Sequence, residues 1–361
     1  MTTGEAPNGG RQPASTLPIV HSHNEWDPLE EVIVGAVEGA RIPRADPGLY
    51  ALEFQDLEDL SRIPSGPYPA RVIAETAEDL DLLASALVGL GVVVHRPVPT
   101  DHSRVFSSPD WQTDGQFAYC PRDTMLVLGE TIIETPMALR ARQYETLAYR
   151  GLLCNYLAQG ARWISAPKPR LLDSVYRRAN GFEIAIDESE PIFDAANVTR
   201  CGRDLFYLVS DSGNHLGARW LASAVGPEYR VHRCERLRNT IHIDTTLVLV
   251  RPGLALAPAA YVSPTNLPPA LRTWEVLYVE DMVDMPSPEH QVSSKWLGLN
   301  LLMVNPSLAI VDRHQTGLIR ELERRGIDTL PMELRHGRVL GGGFHCVTLD
   351  VRRRGTLESY C

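Results

Sequence analysis

The strongest constraint on the fold is a unit that returns along the chain: two short apolar runs split by a tight turn, then an amphipathic stretch, then a third apolar run. It is plainest at 123–136, "DTMLVLGETIIETP", where Gly129-Glu130 separates two strand-like runs. The stretch 137–160, "MALRARQYETLAYRGLLCNYLAQG", reads as a long helix and "RWISAP" as the closing strand. The order recurs in "RDLFYLVS", "NHLGARWLASAVG" and "YRVHRCE", and again in "LNLLMVNPSLAIVD", "QTGLIRELERRG" and "IDTLPME". In that last copy Leu318, Ile319 and Leu322 share a helical face and Gly326 stops the helix. Near the start, Leu29, Val32, Ile33 and Val34 form an apolar strand after an Asp-Pro turn. A helix with Ile73, Ala77, Leu80, Leu83, Leu87 and Leu90 on one face then closes on Gly91 and runs into the strand "VVVHRPV". The chain is therefore α/β. Copies of such a unit can line a central cleft as a ring or extend one mixed sheet, and periodicity does not choose between them.

No low-complexity linker divides residues 21–361, which read as a single catalytic-type domain, while 1–20, rich in Gly, Pro and Ser, read as a disordered tail. A net charge of -10 leaves no basic footprint for nucleic acid. No apolar run reaches membrane-spanning length and the N-terminus lacks a signal-peptide core, so a cytoplasmic protein is expected. The six cysteines are scattered without a CxxC pair, which suggests neither a disulfide framework nor a zinc site.

The polar residues at the ends of the units carry the chemistry. Asp123 stands just before an apolar strand, Asp194 lies in "PIFDAAN", and His242 and Asp244 are two apart in "IHIDTTLVLV", hence on the same face of a strand entering an apolar run. Three glycines, 341–343, lead into His345 and Cys346, which alternation would place on opposite faces. Each residue alone is most simply a turn residue, a satisfied histidine or an inert thiol. A metal site at His345 and Cys346 would need further ligands at suitable spacing, which the sequence does not offer. Together the residues supply a thiol nucleophile, an imidazole to move protons, a carboxylate to orient it and two more carboxylates suited to a planar guanidinium. That set points to a guanidine substrate.

These stretches, with "HNEWDPLEEVIVG", "PDWQTDG", "IIETPMALRAR", "FDAANVTRCGRDLF", "SSKWLGLNLLM" and "GGGFHCVTLDVRRRGTL", make the chain similar to the amidinotransferases over roughly 23–357. The resemblance is nearest to the inosamine-phosphate branch, of streptomycin-type antibiotic biosynthesis, and more distant to the glycine branch. It implies a five-bladed α/β propeller of ββαβ modules, a homodimer, and ping-pong transfer of an amidino group from arginine or a related guanidine to an amine, without metal or cofactor. By motif position it implies Cys346 as nucleophile, His242 as general acid and base, and Asp194 as its orienting carboxylate. Asp123 and Asp244 would grip the guanidinium, Ser294 would lie near the reacting group, and the acceptor would be an aminocyclitol or inosamine phosphate.

The match departs from the pattern at Tyr261, which occupies the place of an arginine expected to bind the donor's carboxylate. Either another basic residue such as Arg251 or Arg272 substitutes, or the Tyr261 hydroxyl binds more weakly, or the donor is not free arginine. Ile241, before His242, is an apolar neighbour on the acceptor side, and "SSKW" is nearer the glycine branch. The same residues could also pass the amidino group to water, as a guanidine hydrolase of the deiminase or dihydrolase type does. A silent binding relative would have no use for the intact Cys346, His242 and Asp194.

Overall fold

The computed structural model describes residues 17–177, 184–237 and 241–361. Five three-stranded sheets carry an α/β fold, each an antiparallel pair joined by a parallel third strand. A tight turn can only return a strand antiparallel, whereas a crossover returns it parallel, so the repeated unit dictates this pattern. Three sheets follow it as read. One comprises Met125–Leu128, Thr131–Glu134 and Arg162–Ser165; the next Val198–Cys201, Asp204–Leu208 and Arg230–Cys234; and a later one Leu302–Asn305, Leu308–Asp312 and Asp328–Met332. Gly129, at φ 57°, makes the first of these hairpin turns in a conformation that side-chain-bearing residues avoid.

The helices cover the sheets with one apolar stripe. His215–Val225 is capped by Asn214, whose side chain accepts the Gly217 N–H, and it buries Ala218, Leu221 and Val225 in a cluster with Leu205 and Tyr207. Thr316–Arg324 buries Leu318 and Leu322, and Ala70–Gly89 buries Val72, Leu80, Leu83 and Leu87. Each such leucine contributes about 1.5–3 kcal/mol by leaving water.

Two sheets were not legible as copies. Val248–Arg251, Leu254–Pro258 and Glu275–Val279 form one, but Pro264, Pro268 and Pro269 leave its crossover with only the short turn Pro269–Leu271. In the other, Leu29–Val34 lies between the parallel strand Val93–His95 and the antiparallel strand Thr348–Arg353, with Val32 opposite Asp350. The end of the chain thus completes the first unit. The helix expected over 137–160 is confined to Arg150–Ala158, preceded by the tight turns Arg140–Arg142 and Glu145–Tyr149. The cause is polar: Arg140 and Arg142 are turned inward, Arg140 onto the Leu171 carbonyl and Asp173, and Arg142 onto Asp123 and Glu145. Of the tail expected over 1–20, residues 1–16 lie outside the described residues, and Val20 is fully buried in a cluster with Ile33 and Val351.

Candidate active site

A short turn precedes the first strand of each antiparallel pair, and these turns carry the candidate residues. Asp123 lies in Pro121–Thr124, Asp194 immediately precedes Ala195–Asn197, and His242 immediately precedes Ile243–Thr245, which holds Asp244. Ser294 caps Lys295–Leu299, with Asn300 following, and Cys346 comes after Gly337–Leu340 and just before Thr348–Arg353. The turns touch one another in that order, and Thr348–Arg353 returns to Pro121–Thr124. His242 and Asp244 are therefore not on a strand, as their spacing suggested; a helical turn brings both to one cavity. His345 and Cys346 likewise sit in a turn. Instead of facing apart, both reach Asp244 Oδ2, His345 Nδ1 at 2.8 Å and Cys346 Sγ at 3.2 Å.

The cavity encloses about 470 Å³ and is lined by Asp123, Ile241, His242, Asp244, Ser294 and Cys346, together with Glu53, Arg142 and Asp211. Cys346 is 2% exposed at its base. His242 Nε2 is 3.0 Å from Asp194 Oδ2, and its Nδ1 is 3.8 Å from Asp123 Oδ1. Asp194 stands behind the imidazole, fixed by the Ala138 N–H donated to its other oxygen at 3.0 Å. The Ile241 carbonyl accepts from the Ser210 and Ser212 hydroxyls, which pins the chain beside His242. Arg142 Nη1 donates to Asp123 Oδ2 at 2.8 Å and its other nitrogens to Glu145. The remaining oxygens, Asp123 Oδ1 and Asp244 Oδ1, are buried and accept no hydrogen bond among the described residues. A buried carboxylate oxygen without a donor is costly, and a guanidinium held between the two residues would supply donors in plane.

Glycines 342 and 343 make the turn that carries Cys346 possible by their lack of bulk. A Cβ on Gly342 would come within 2.5 Å of Cys120 Sγ, and one on Gly343 within 2.7 Å of Asn300 Cβ. From below, Arg122 Nε donates to the carbonyls of His345 and Thr348, each at 2.9 Å, while its guanidinium pairs with Asp350.

Charge is unevenly shared in the pocket. Burial opposes a proton on His242, but Asp123 and Asp194 outweigh it and hold the imidazole well above its ordinary range. A hydrogen bond with Cys120, burial and the charge of Asp244 push the Cys346 thiol well up, against a lowering contact from His242. Both shifts favour the protonated form, of the imidazole and of the thiol alike. Burial raises Asp123 too, while for Asp244 burial is outweighed by His345 and His242, which hold it low. Burial pushes Glu145 up to about 7 despite Arg142.

Tyr261 does not line the cavity. It is 40% exposed, with its ring edge-on to Trp296 at 6.1 Å. Arg251 donates to the Arg325 carbonyl, Arg272 is exposed, and neither lines the cavity. The one guanidinium among the described lining residues is Arg142, already held by Asp123 and Glu145. Arg142, Glu53 and Asn300 escaped the sequence reading, although Arg142 and Asn300 lie inside quoted motifs. Nothing in spacing distinguishes a buried arginine or asparagine from its neighbours.

No family model matches the chain. It is nevertheless 53% identical over 346 residues to inosamine-phosphate amidinotransferase 1 of Streptomyces glaucescens, covering 95% of this chain and 99% of that one. The solved inosamine-phosphate amidinotransferase of Streptomyces griseus superposes with a TM-score of 0.93 at 54% identity, over 95% of this chain and 99% of its own. The chain belongs to the amidinotransferase family and is a transferase. Within the family the similarity to these inosamine-phosphate enzymes exceeds that to the mitochondrial glycine amidinotransferase of Xenopus tropicalis, which is 37% identical over 94% of this chain and 84% of its own.

Proposed function

We propose that the protein moves the amidino group of L-arginine or a related guanidine to an amine, an aminocyclitol or inosamine phosphate of antibiotic biosynthesis, through an amidino-cysteine on Cys346. The observation that carries this is the convergence of one thiol, one carboxylate-held imidazole and two carboxylates with undonated oxygens on a single cavity. A guanidinium between Asp123 and Asp244 neutralises carboxylates that keep Cys346 protonated, so the thiol releases its proton to solvent when the donor is bound, while His242 keeps its own. The thiolate attacks the guanidino carbon, the bond from that carbon to the ornithine nitrogen breaks, and His242 gives that nitrogen its proton. The acceptor amine then attacks the amidino carbon, His242 takes its proton, and the carbon–sulfur bond breaks to restore the thiolate. Ser294 and Ile241 line the same cavity, and in this proposal Ser294 serves near the reacting group and Ile241 on the acceptor side. No step calls for a metal or cofactor.

We also propose that the five sheets stand as blades of a five-bladed α/β propeller in one domain, supported by the cyclic contacts of the turns. The working form in this proposal is a cytoplasmic homodimer. Among the described residues no helix is long and apolar enough to cross a membrane.

The test is product partition. With arginine and an aminocyclitol phosphate, guanidinylated acceptor and ornithine should form in equal amounts, with little urea. Urea, or ammonia with citrulline or ornithine, formed at the same rate with or without the amine would show that water is the acceptor and overturn transfer.

A further inference from the structure

Every contact described so far at the Cys346 sulfur bears on its proton, yet the carboxylates and the second thiol oppose the thiolate. Asp244 Oδ2, 3.2 Å away, accepts from the thiol and repels the anion. One further group touches the sulfur. Asn300 Nδ2 lies 3.1 Å from Cys346 Sγ, and Asn300 is 2% exposed.

The orientation of this amide is fixed by its other end. Asn300 Oδ1 accepts the backbone N–H groups of both His345 and Cys346, each at 3.0 Å. A flipped amide would set its NH2 against two N–H donors, so the oxygen stays where it is and the N–H points at sulfur. The close approach of Gly343 to Asn300 Cβ shows the turn and the asparagine fitted to each other.

We propose that Asn300 is a catalytic residue, its side-chain N–H donating to Cys346 Sγ so that the thiolate is favoured over the thiol. This rests on Cys346 being the nucleophile. A hydrogen bond to an anionic acceptor is stronger than one to a neutral acceptor, so the contact tightens as the sulfur ionises. It therefore acts opposite to Asp244. When the amidino group later leaves, the same N–H stabilises the departing thiolate.

The charged and titratable groups around the sulfur include Asp244, His242, Asp123, Cys120, Tyr119 and the neighbouring His345, and all remain in the test variants. Asn300→Asp keeps the shape and the accepting oxygen but puts an anionic acceptor where the donor was; Asn300→Ala removes the donor from the sulfur together with the oxygen that accepts the His345 and Cys346 N–H groups. The measurement is the pH dependence of iodoacetamide alkylation at Cys346, resolved by peptide mass spectrometry, with no arginine present. We expect the midpoint to rise by about one pH unit or more in Asn300→Asp, roughly a tenfold loss of thiolate at a given pH, and by less in Asn300→Ala. The rate of ornithine formation should fall in the same order. An unchanged alkylation profile in both folded variants, or loss of folding in both, would overturn the role of Asn300. Full activity in Cys346→Ser would instead overturn the nucleophile, a separate failure.

Discussion

Replacing Asp194 by Asn probes the proton-transfer machinery without changing its shape. Asp194 Oδ1 accepts the Ala138 N–H and Oδ2 faces His242 Nε2. In the variant the amide oxygen must keep the Ala138 partner, so the NH2 turns to His242 and requires Nε2 as an acceptor. The imidazole proton is then confined to Nδ1, on the Asp123 side, and the imidazolium loses a charge-assisted hydrogen bond of about 1.5–3 kcal/mol. At 1.36 kcal/mol per unit this lowers the proton affinity of His242 by roughly one to two pH units. An imidazole that no longer presents its proton at the working pH forfeits about 10²- to 10⁴-fold in turnover. The assay is ornithine release from arginine and an acceptor amine across pH 6–9, with histidine NMR titration of the resting enzyme. A fall of less than tenfold with the wild-type pH profile would refute the assignment of Asp194 as the group that orients and charges His242.

Gly343→Ala should destabilise the fold by about 1–3 kcal/mol and lower activity, because its Cβ would sit 2.7 Å from Asn300 Cβ; denaturant unfolding and turnover read both effects. Arg142→Met leaves Asp123 and Glu145 buried without their cation and should cost roughly 3–5 kcal/mol. Those carboxyls then bind protons more tightly when folded than when unfolded, so the deficit should be larger at pH 8 than at pH 6; a deficit independent of pH would contradict the pairing. Glu25 and Asp350 have the opposite sign. Burial is outweighed by Arg200 and other cations, which hold both well below the carboxylate range, so their contribution is full above about pH 4.3 and is lost as pH falls below it. Stability measured from pH 7 to 3 should therefore drop steeply at the acid end, and Asp350→Asn should flatten part of that drop.

Much of the architecture could be read from local chemistry. Hairpins declare themselves where a turn such as Gly129-Glu130 divides two apolar runs, and helices where leucines recur at three and four, as in Ala70–Gly89. The unit at 248–279 was hidden because prolines replaced its helix, and the first unit because its partner strand lies more than three hundred residues away, at Thr348–Arg353. Pairing at that separation leaves no local trace. For the site, residue types pointed to the set Cys346, His242, Asp194, Asp123 and Asp244, and the resemblance assigned their roles. The mistaken inference was geometric: strand alternation was applied to His242–Asp244 and His345–Cys346, which lie in turns where it has no force. Arg142 and Asn300 could not be found that way, since their importance lies in partners distant in sequence.

The central claim is that Cys346 carries the amidino group between two half-reactions. Its most direct test is intact-protein mass spectrometry after mixing the enzyme with L-arginine alone, followed by peptide mapping and ornithine quantitation. One amidino group per chain on Cys346, matched by one equivalent of ornithine and absent in Cys346→Ser, is the result expected. Release of ornithine with no adduct on Cys346, or an adduct that persists in Cys346→Ser, would contradict it.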